Sequence, residues 1–298
     1  MAEARFITAI GTPMTDDEDL FVDGLAAELT DQWAHGISGV LVAGSMGAMQ
    51  LLKDQTYQQL VSHSVELSAG RGEILVGAGD AGYARTVQRI EFLNQFKIDG
   101  VAVITPFFWE FSQVELIDYF MSIAEVSQAP IYLYDLPAIS GVALTVDTVV
   151  ELSKHANICG IKVSRELRHT RQLIDALDES FRVIVALPEL VDISIRHGIT
   201  EYLDGMWAVA PLWTVEIGRC AYQDQWSAAA EHQRSVIELR EVLGRYGFGA
   251  FTTTMNARGI PGRFAPRPHE APQGERRAQL LAEPIVQRLL AEDPAMNG

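Results

Sequence analysis

Short apolar runs rich in β-branched residues recur along the chain: Phe6–Ile10, Gly39–Ala43, Ile74–Ala78, Val101–Thr105, Ile131–Tyr134, Ile158–Val163, Arg182–Leu187 and Leu203–Val209. Most lack alternation of apolar and polar positions, as expected of parallel strands buried on both faces. Between them the apolar spacing changes to a helical period, over Asp23–His35, Gln55–Ala69, Thr86–Gln95, Val114–Ser127, Val146–Lys154, His169–Leu177, Leu190–His197 and Thr214–Tyr222. Gly36, Gly70 and Gly198 stand where three of these helices should stop. Strands that each lead into a helix predict an α/β fold, a (β/α)8 TIM barrel.

After Tyr222 the pattern changes. Gln225–Tyr246 reads as one long helix and Gln279–Ala291 as another, with Pro284 kinking the second or marking its true start. The link Gly259–Pro272 is rich in Pro, Gly and Arg. The expected organisation is a barrel over residues 1–222 that carries the active site, with a C-terminal helical extension over 223–298.

The length of 298 residues accommodates such a barrel, which takes about 250. No apolar run approaches the roughly 20 residues that span a bilayer. Met1-Ala2-Glu3-Ala4-Arg5 does not read as a secretory signal. The two cysteines, Cys159 and Cys220, form no C-x-x-C and suit a reducing cytoplasm. The net charge of −16 repels nucleic acid and anionic membranes, so neither is an expected partner. An anionic substrate would need local binding groups. The seven histidines are scattered, with no H-E-x-x-H, and Asp16-Asp17-Glu18-Asp19 lacks the alternation of a calcium loop, so no metal is expected. Gly77-Ala78-Gly79-Asp80-Ala81-Gly82 matches G-x-G-x-x-G. It falls on the third strand instead of in an N-terminal βαβ unit, which argues against a dinucleotide site.

In such a barrel the chemistry lies at the C-terminal ends of the strands. The sixth run gives Gly160-Ile161-Lys162-Val163-Ser164. A lysine inside an apolar strand is costly to bury as an ammonium, and desolvation favours the neutral amine that attacks carbonyls. The alternative is a buried structural lysine paired with a carboxylate. The fifth run ends Tyr132-Leu133-Tyr134-Asp135-Leu136-Pro137. Tyr132 and Tyr134 should share a face. Tyr134, nearer the strand end, is placed either to move protons or simply to pack. The second run leads into Gly44-Ser45-Met46-Gly47, whose backbone N–H groups and hydroxyl suit a carboxylate. A tight turn that needs glycine for geometry alone reads the same way.

Together these segments resemble the N-acetylneuraminate lyase and dihydrodipicolinate synthase superfamily of Schiff-base aldolases, along nearly the whole chain. The resemblance runs from Thr8-Ala9-Ile10-Gly11-Thr12-Pro13 through Gly36–Gly47, similar to G-x-x-G-x-x-x-x-G-(S/T)-x-G-E. It continues in Thr105-Pro106-Phe107-Phe108, similar to T-P-(F/Y)-Y, in Tyr134-Asp135-Leu136-Pro137, similar to Y-N-x-P, and in Gly160-Ile161-Lys162, similar to G-(I/L)-K. It implies that Lys162 forms an imine with pyruvate or a longer 2-oxo acid, that Tyr134 relays protons, and that Ser45, with the backbone of Met46 and the Gly44–Gly47 turn, holds the carboxylate. It also implies no cofactor, a small-molecule 2-oxo acid as partner, and a homotetramer.

Departures from the family pattern bear on the substrate. Ile139 stands where the synthase has an arginine. Met46 and Phe108 stand where it relays protons through a threonine and a neighbouring subunit's tyrosine. Ala48 replaces a glutamate and Asp135 an asparagine. The segment Pro137-Ala138-Ile139-Ser140-Gly141 looks more like the lyase pattern. Phe107, Phe108, Trp109, Leu187 and Trp207 are expected to line an apolar distal pocket. The expected reaction is aldol cleavage, condensation or dehydration of pyruvate or a 2-keto-3-deoxy acid. The alternatives are 4-hydroxy-tetrahydrodipicolinate (dihydrodipicolinate) synthase and a non-catalytic barrel that binds 2-oxo acids.

Overall fold

The structure, a computed structural model, describes residues 3–295. The start of the chain at Met1-Ala2 and the last three residues of the expected extension lie outside them. Eight strands, β1 (Arg5–Ala9), β2 (Gly39–Val42), β3 (Glu73–Gly77), β4 (Gly100–Ile104), β5 (Ile131–Asp135), β6 (Ile158–Val163), β7 (Arg182–Val185) and β8 (Glu201–Asp204), pair in chain order and close into a barrel. The expected TIM barrel is borne out. The helices between strands are α1 (Val22–Ala34), α2 (Asp54–Ser68), α3 (Tyr83–Leu93), α4 (Gln113–Val126), the single turn α5 (Pro137–Ser140), α6 (Val146–Leu152), α7 (Leu167–Ala176) and α8 (Val191–Arg196). After β8 come α9 (Met206–Val209), α10 (Pro211–Tyr222), α11 (Trp226–Tyr246), α12 (Gly249–Arg258), α13 (Gly274–Ala282) and α14 (Pro284–Glu292). No helix among the described residues is long and apolar enough to cross a membrane.

Three local expectations change. The eighth apolar run was expected as one strand over Leu203–Val209. The strand ends at Asp204, whose carboxylate accepts the Met206 N–H at 2.9 Å and starts the short helix α9. A short apolar run reads alike as a buried strand or a buried helix turn. The last helix is two, broken at Glu283, and Pro284 marks the start of the second. Helix α12 lies in a stretch assigned to no element, because its Thr252-Thr253-Thr254 core carries poor helix formers. Gly36 and Gly198 follow their helices in the left-handed region, at φ +78° and +86°, as the stop signals predict.

The chain clusters into two compact units. Among the described residues, one comprises 3–72, 188–200 and 204–295, the other Glu73–Leu187 with Glu201–Leu203. In the first unit Arg258, fully buried on α12, donates to Asp31 Oδ2 at 3.0 Å and to Asp293 Oδ1 at 2.8 Å. It thereby ties α1 to the chain beyond α14. His35 joins the same carboxylates, at 3.3 Å to Asp31 and 3.1 Å to Asp293. Burial alone disfavours the His35 imidazolium, but the bonds to Asp293 and Asp31 outweigh it and push its pKa up to about 10.

In the second unit the inward positions follow the two-residue period of the strands. Near the strand starts, Arg182 donates to Glu73, to Glu201 Oε2 at 2.8 Å and to the Tyr132 hydroxyl at 2.9 Å. The Tyr132 ring lies over Gly100 and Gly160, where an added Cβ would come within 2.4 and 2.8 Å of it. One period further along β5 and β6 stand Tyr134 and Lys162. The polar plug thus sits a layer below the candidate chemistry.

Two expectations follow for the first unit. Arg258→Met leaves the buried Asp31 and Asp293 with only the His35 imidazolium between them, and should lower unfolding free energy by about 3–5 kcal/mol in denaturant melts. A loss below about 1 kcal/mol would contradict the network. The stability conferred by a histidine with a raised pKa is complete below 6.5 and lost as pH rises through about 10. His35→Gln should therefore be destabilised at neutral pH, with the gap to wild type closing in thermal melts above pH 10. A gap independent of pH would argue that His35 is neutral.

Candidate active site

The protein has four lysines. Lys53, Lys97 and Lys154 are exposed, whereas Lys162 on β6 is only 4% exposed. The β5–β6 register sets Tyr134 opposite Lys162, and Nζ lies 3.9 Å from the centre of the Tyr134 ring. Nζ also donates to Ser164 Oγ at 3.3 Å. Among the described residues no carboxylate lies within ion-pair distance of Nζ, which removes the expected signature of a structural lysine. A cation is favoured over an aromatic face, and a hydroxyl partner adds no negative charge. The amine is therefore held by a ring and a hydroxyl, with no carboxylate beside it among the described residues.

The loops after β4 and β5 carry the residues expected to choose a substrate. Thr105 Oγ1 lies 2.8 Å from Ser140 Oγ and 3.0 Å from the Val142 carbonyl, fixing the end of β4 to the α5 turn. Phe108 is a non-glycine residue at φ +86°, a conformation that costs on the order of 1–3 kcal/mol. It is 84% exposed, with its ring edge-on to Trp109 at 5.6 Å. Ile139 on α5 is 68% exposed, and Leu187 is half-buried.

In the first unit, the Gly44–Gly47 turn is flanked by Ala43 and Ala48, both at left-handed φ, +52° and +54°. Thr12 Oγ1 donates to the Gly47 carbonyl at 2.7 Å and anchors the turn to the segment after β1. Ser45 and Met46 are half-buried. The Met46 side chain fills the space over Gly205, where a Cβ would come within 2.5 Å of its Cε. Trp207, expected to line the distal pocket, is 0% exposed, with its ring edge-on to Phe6 at 5.8 Å. The α9 turn, in place of a continued strand, tucks the indole into the core. A cavity of about 530 Å³ in this unit, lined by Met14, Phe21, Thr253, Arg263 and Arg277 among others, contains none of the expected site residues.

One group escaped the sequence reading. Asp135, next to Tyr134 and fully buried, accepts the Leu144 N–H through Oδ1 at 3.1 Å. Its Oδ2 makes no hydrogen bond, and faces Arg165 Nη1 and His169 Nε2, each at 3.6 Å. Burial raises the carboxyl pKa to about 6, against the lowering effect of the Leu144 bond and the Arg165 charge. The replacement of asparagine at 135 was visible in the sequence. Its partners, 30 or so residues away on another element, were not.

The geometry described is that of a barrel with one buried amine beside a phenol at the carboxyl ends of adjacent strands. A family model described as the dihydrodipicolinate synthetase family matches residues 2–283. A 4-hydroxy-tetrahydrodipicolinate synthase of Exiguobacterium sp. is 30% identical over 177 residues, 59% of this chain and 60% of that one, so the match spans about three-fifths of that relative. One from Xanthomonas campestris pv. campestris is 34% identical over 211 residues, 70% of this chain and 68% of that one. Among solved structures, YagE, a prophage protein of the dihydrodipicolinic acid synthase family from E. coli in complex with pyruvate, superposes with a TM-score of 0.87 at 23% identity. The superposition covers 96% of this chain and 98% of that one. The chain belongs to the dihydrodipicolinate synthetase family, whose members are lyases.

Asp135 generates its own expectation. Its folded pKa is raised from 3.8 to about 6, so its contribution to stability is complete below 3.8 and lost as pH rises through about 6. Asp135→Asn keeps an acceptor for Leu144 and removes the buried charge. It should be more stable than wild type at pH 8, by on the order of 1–3 kcal/mol, with no such advantage at pH 4. A variant less stable at pH 8 would mean that the Arg165 contact outweighs the burial cost.

Proposed function

We propose that this protein is a class I, Schiff-base lyase or aldolase that acts on pyruvate or a 2-keto-3-deoxy acid. The observation that carries the reading is the only buried lysine of four, set without a counter-ion over the ring of Tyr134. In the proposed cycle, neutral Nζ of Lys162 attacks the C2 carbonyl. The carbonyl oxygen leaves as water and an imine forms. Protonated, the imine withdraws electrons from C3, so that the C3–C4 bond breaks or forms, or a C4 hydroxyl departs with a proton. Tyr134 gives and takes the proton. Ser45 and the N–H groups of its turn take the carboxylate, an assignment that suits a chain with no net positive charge to attract anions. A 2-oxo acid such as the pyruvate named with YagE fits this scheme.

The loops support a substrate tail with few hydroxyls. Phe107, Phe108, Trp109, Ile139 and Leu187 offer carbon, and Met46 and Phe108 have no proton to relay. Trp207 contributes no exposed surface to this wall. The synthase name of the Exiguobacterium and Xanthomonas relatives favours a second reading, condensation of pyruvate with an aldehyde, through the same imine. A synthase assay against a panel of 2-keto-3-deoxy acids separates the two.

Borohydride with pyruvate should add one reduced adduct to the wild-type mass and none to Lys162→Ala. Tyr134→Phe should still trap the adduct while kcat falls by about 10²–10⁴-fold. No adduct on wild type, or trapping by Lys162→Ala, would overturn the proposal. Full turnover by Tyr134→Phe would remove the phenol from it.

A further inference from the structure

Two groups of metal-ligating side chains lie together among the described residues, and only one has room for an ion. Asp31, His35 and Asp293 are already closed by Arg258, whose guanidinium supplies the positive charge. The second group is Glu216 and Cys220, one helical turn apart on α10, with His232 on α11. One ligand atom from each lies within 4.8 Å of the other two.

Two parts of this second group, His232 and Cys220, are under-used. His232 Nδ1 is buried and has no hydrogen-bond partner. Cys220 is buried, and its Sγ meets only the Arg219 Nη2 at 3.7 Å. Both oxygens of Glu216 accept from Arg219, Oε1 from Nε at 2.8 Å and Oε2 from Nε at 2.9 Å and from Nη2, so an ion would share this carboxylate with the guanidinium. Arg219 is half-exposed and also donates to Gln223 Oε1 at 3.1 Å, so it has another partner within reach if one carboxylate oxygen is taken. Nearby Glu292 is committed to the Trp213 indole at 3.0 Å and to Arg288 at 2.8 Å. Glu216 is thus the carboxylate able to serve.

We propose that Glu216, Cys220 and His232 form a binding site for a borderline-soft divalent cation of the zinc type, clamping α10 to α11. Oxygen, sulfur and nitrogen donors in one set match zinc chemistry, and three protein ligands leave a fourth position for water. The small closure needed from 4.8 Å is a side-chain movement, since all three come from helix surfaces that already pack. On binding, the Cys220 thiol loses its proton to solvent and the thiolate takes the metal. The exchange is one cation in and one proton out at that ligand, with no redox step. The ion joins the last helix of the barrel to the first helix of the C-terminal segment, so its expected effect is on stability and not on the reaction proposed for Lys162.

The test uses chelator-treated full-length protein titrated with Co(II), read by the thiolate-to-cobalt charge-transfer absorption. Wild type and Cys159→Ser should each bind one ion per chain and give the band. Cys220→Ser should lose it, and His232→Gln should weaken binding by roughly tenfold or more. Zn(II) should displace the cobalt and raise the melting temperature of wild type and Cys159→Ser, but not of Cys220→Ser. Absence of the band in wild type, or the same band in Cys220→Ser, overturns the site. If Cys220→Ser fails to fold, His232→Gln decides, because its ring is half-exposed and its removal spares the core. Unweakened binding in that variant overturns the proposal.

Discussion

Lys162 stands 4% exposed inside an apolar sheet, its Nζ 3.9 Å from the centre of an aromatic ring and 3.3 Å from a hydroxyl, with no carboxylate at ion-pair distance among the described residues. A buried ammonium with a carboxylate partner is an ion pair, and its nitrogen is unavailable as a nucleophile. Here the nitrogen lies between a ring and a hydroxyl instead. Much of the second unit serves this placement. The β5–β6 register brings Tyr134 opposite Lys162, and Gly160 makes way for Tyr132 one layer down. The Arg182 cluster closes that lower layer with charges that answer one another.

The barrel was legible because parallel strands covered on both faces read as unbroken apolar runs, and Lys162 was legible because it interrupts one. What hid were features with no local signature. Asp204 accepts the Met206 N–H where β8 turns into α9, a bond that a hydrophobicity pattern does not register. The polar plug was hidden because Glu73, Arg182 and Glu201 stand at strand starts, where a charged residue reads only as a boundary. The Asp135, Arg165 and His169 group depends on the way β5, the loop after β6 and α7 pack. Trp207 shows the cost of the α9 misreading: as a strand residue it would face a pocket, and as a helix residue it is core.

The division between the two ends of the site also has a physical basis. Groups that would hold the 2-oxo acid head sit on strands or on a turn pinned by Thr12. Those that would select the tail sit on the loops after β4 and β5, where Phe108, Trp109 and Ile139 are exposed. Loops tolerate substitution that strands do not. Of the departures from the family pattern, Phe108 and Ile139 lie on these loops, whereas Met46 and Ala48 lie at the Gly44–Gly47 turn and Asp135 on β5.

The central claim is that one amine, chosen by its burial, carries the chemistry. Peptide mapping of the pyruvate adduct after reduction tests this most directly, because four lysines leave few places for it to fall. The account predicts the modification on Lys162 alone, at one per chain, with Lys53, Lys97 and Lys154 unmodified. An adduct spread over the exposed lysines, with Lys162 bare, would contradict it.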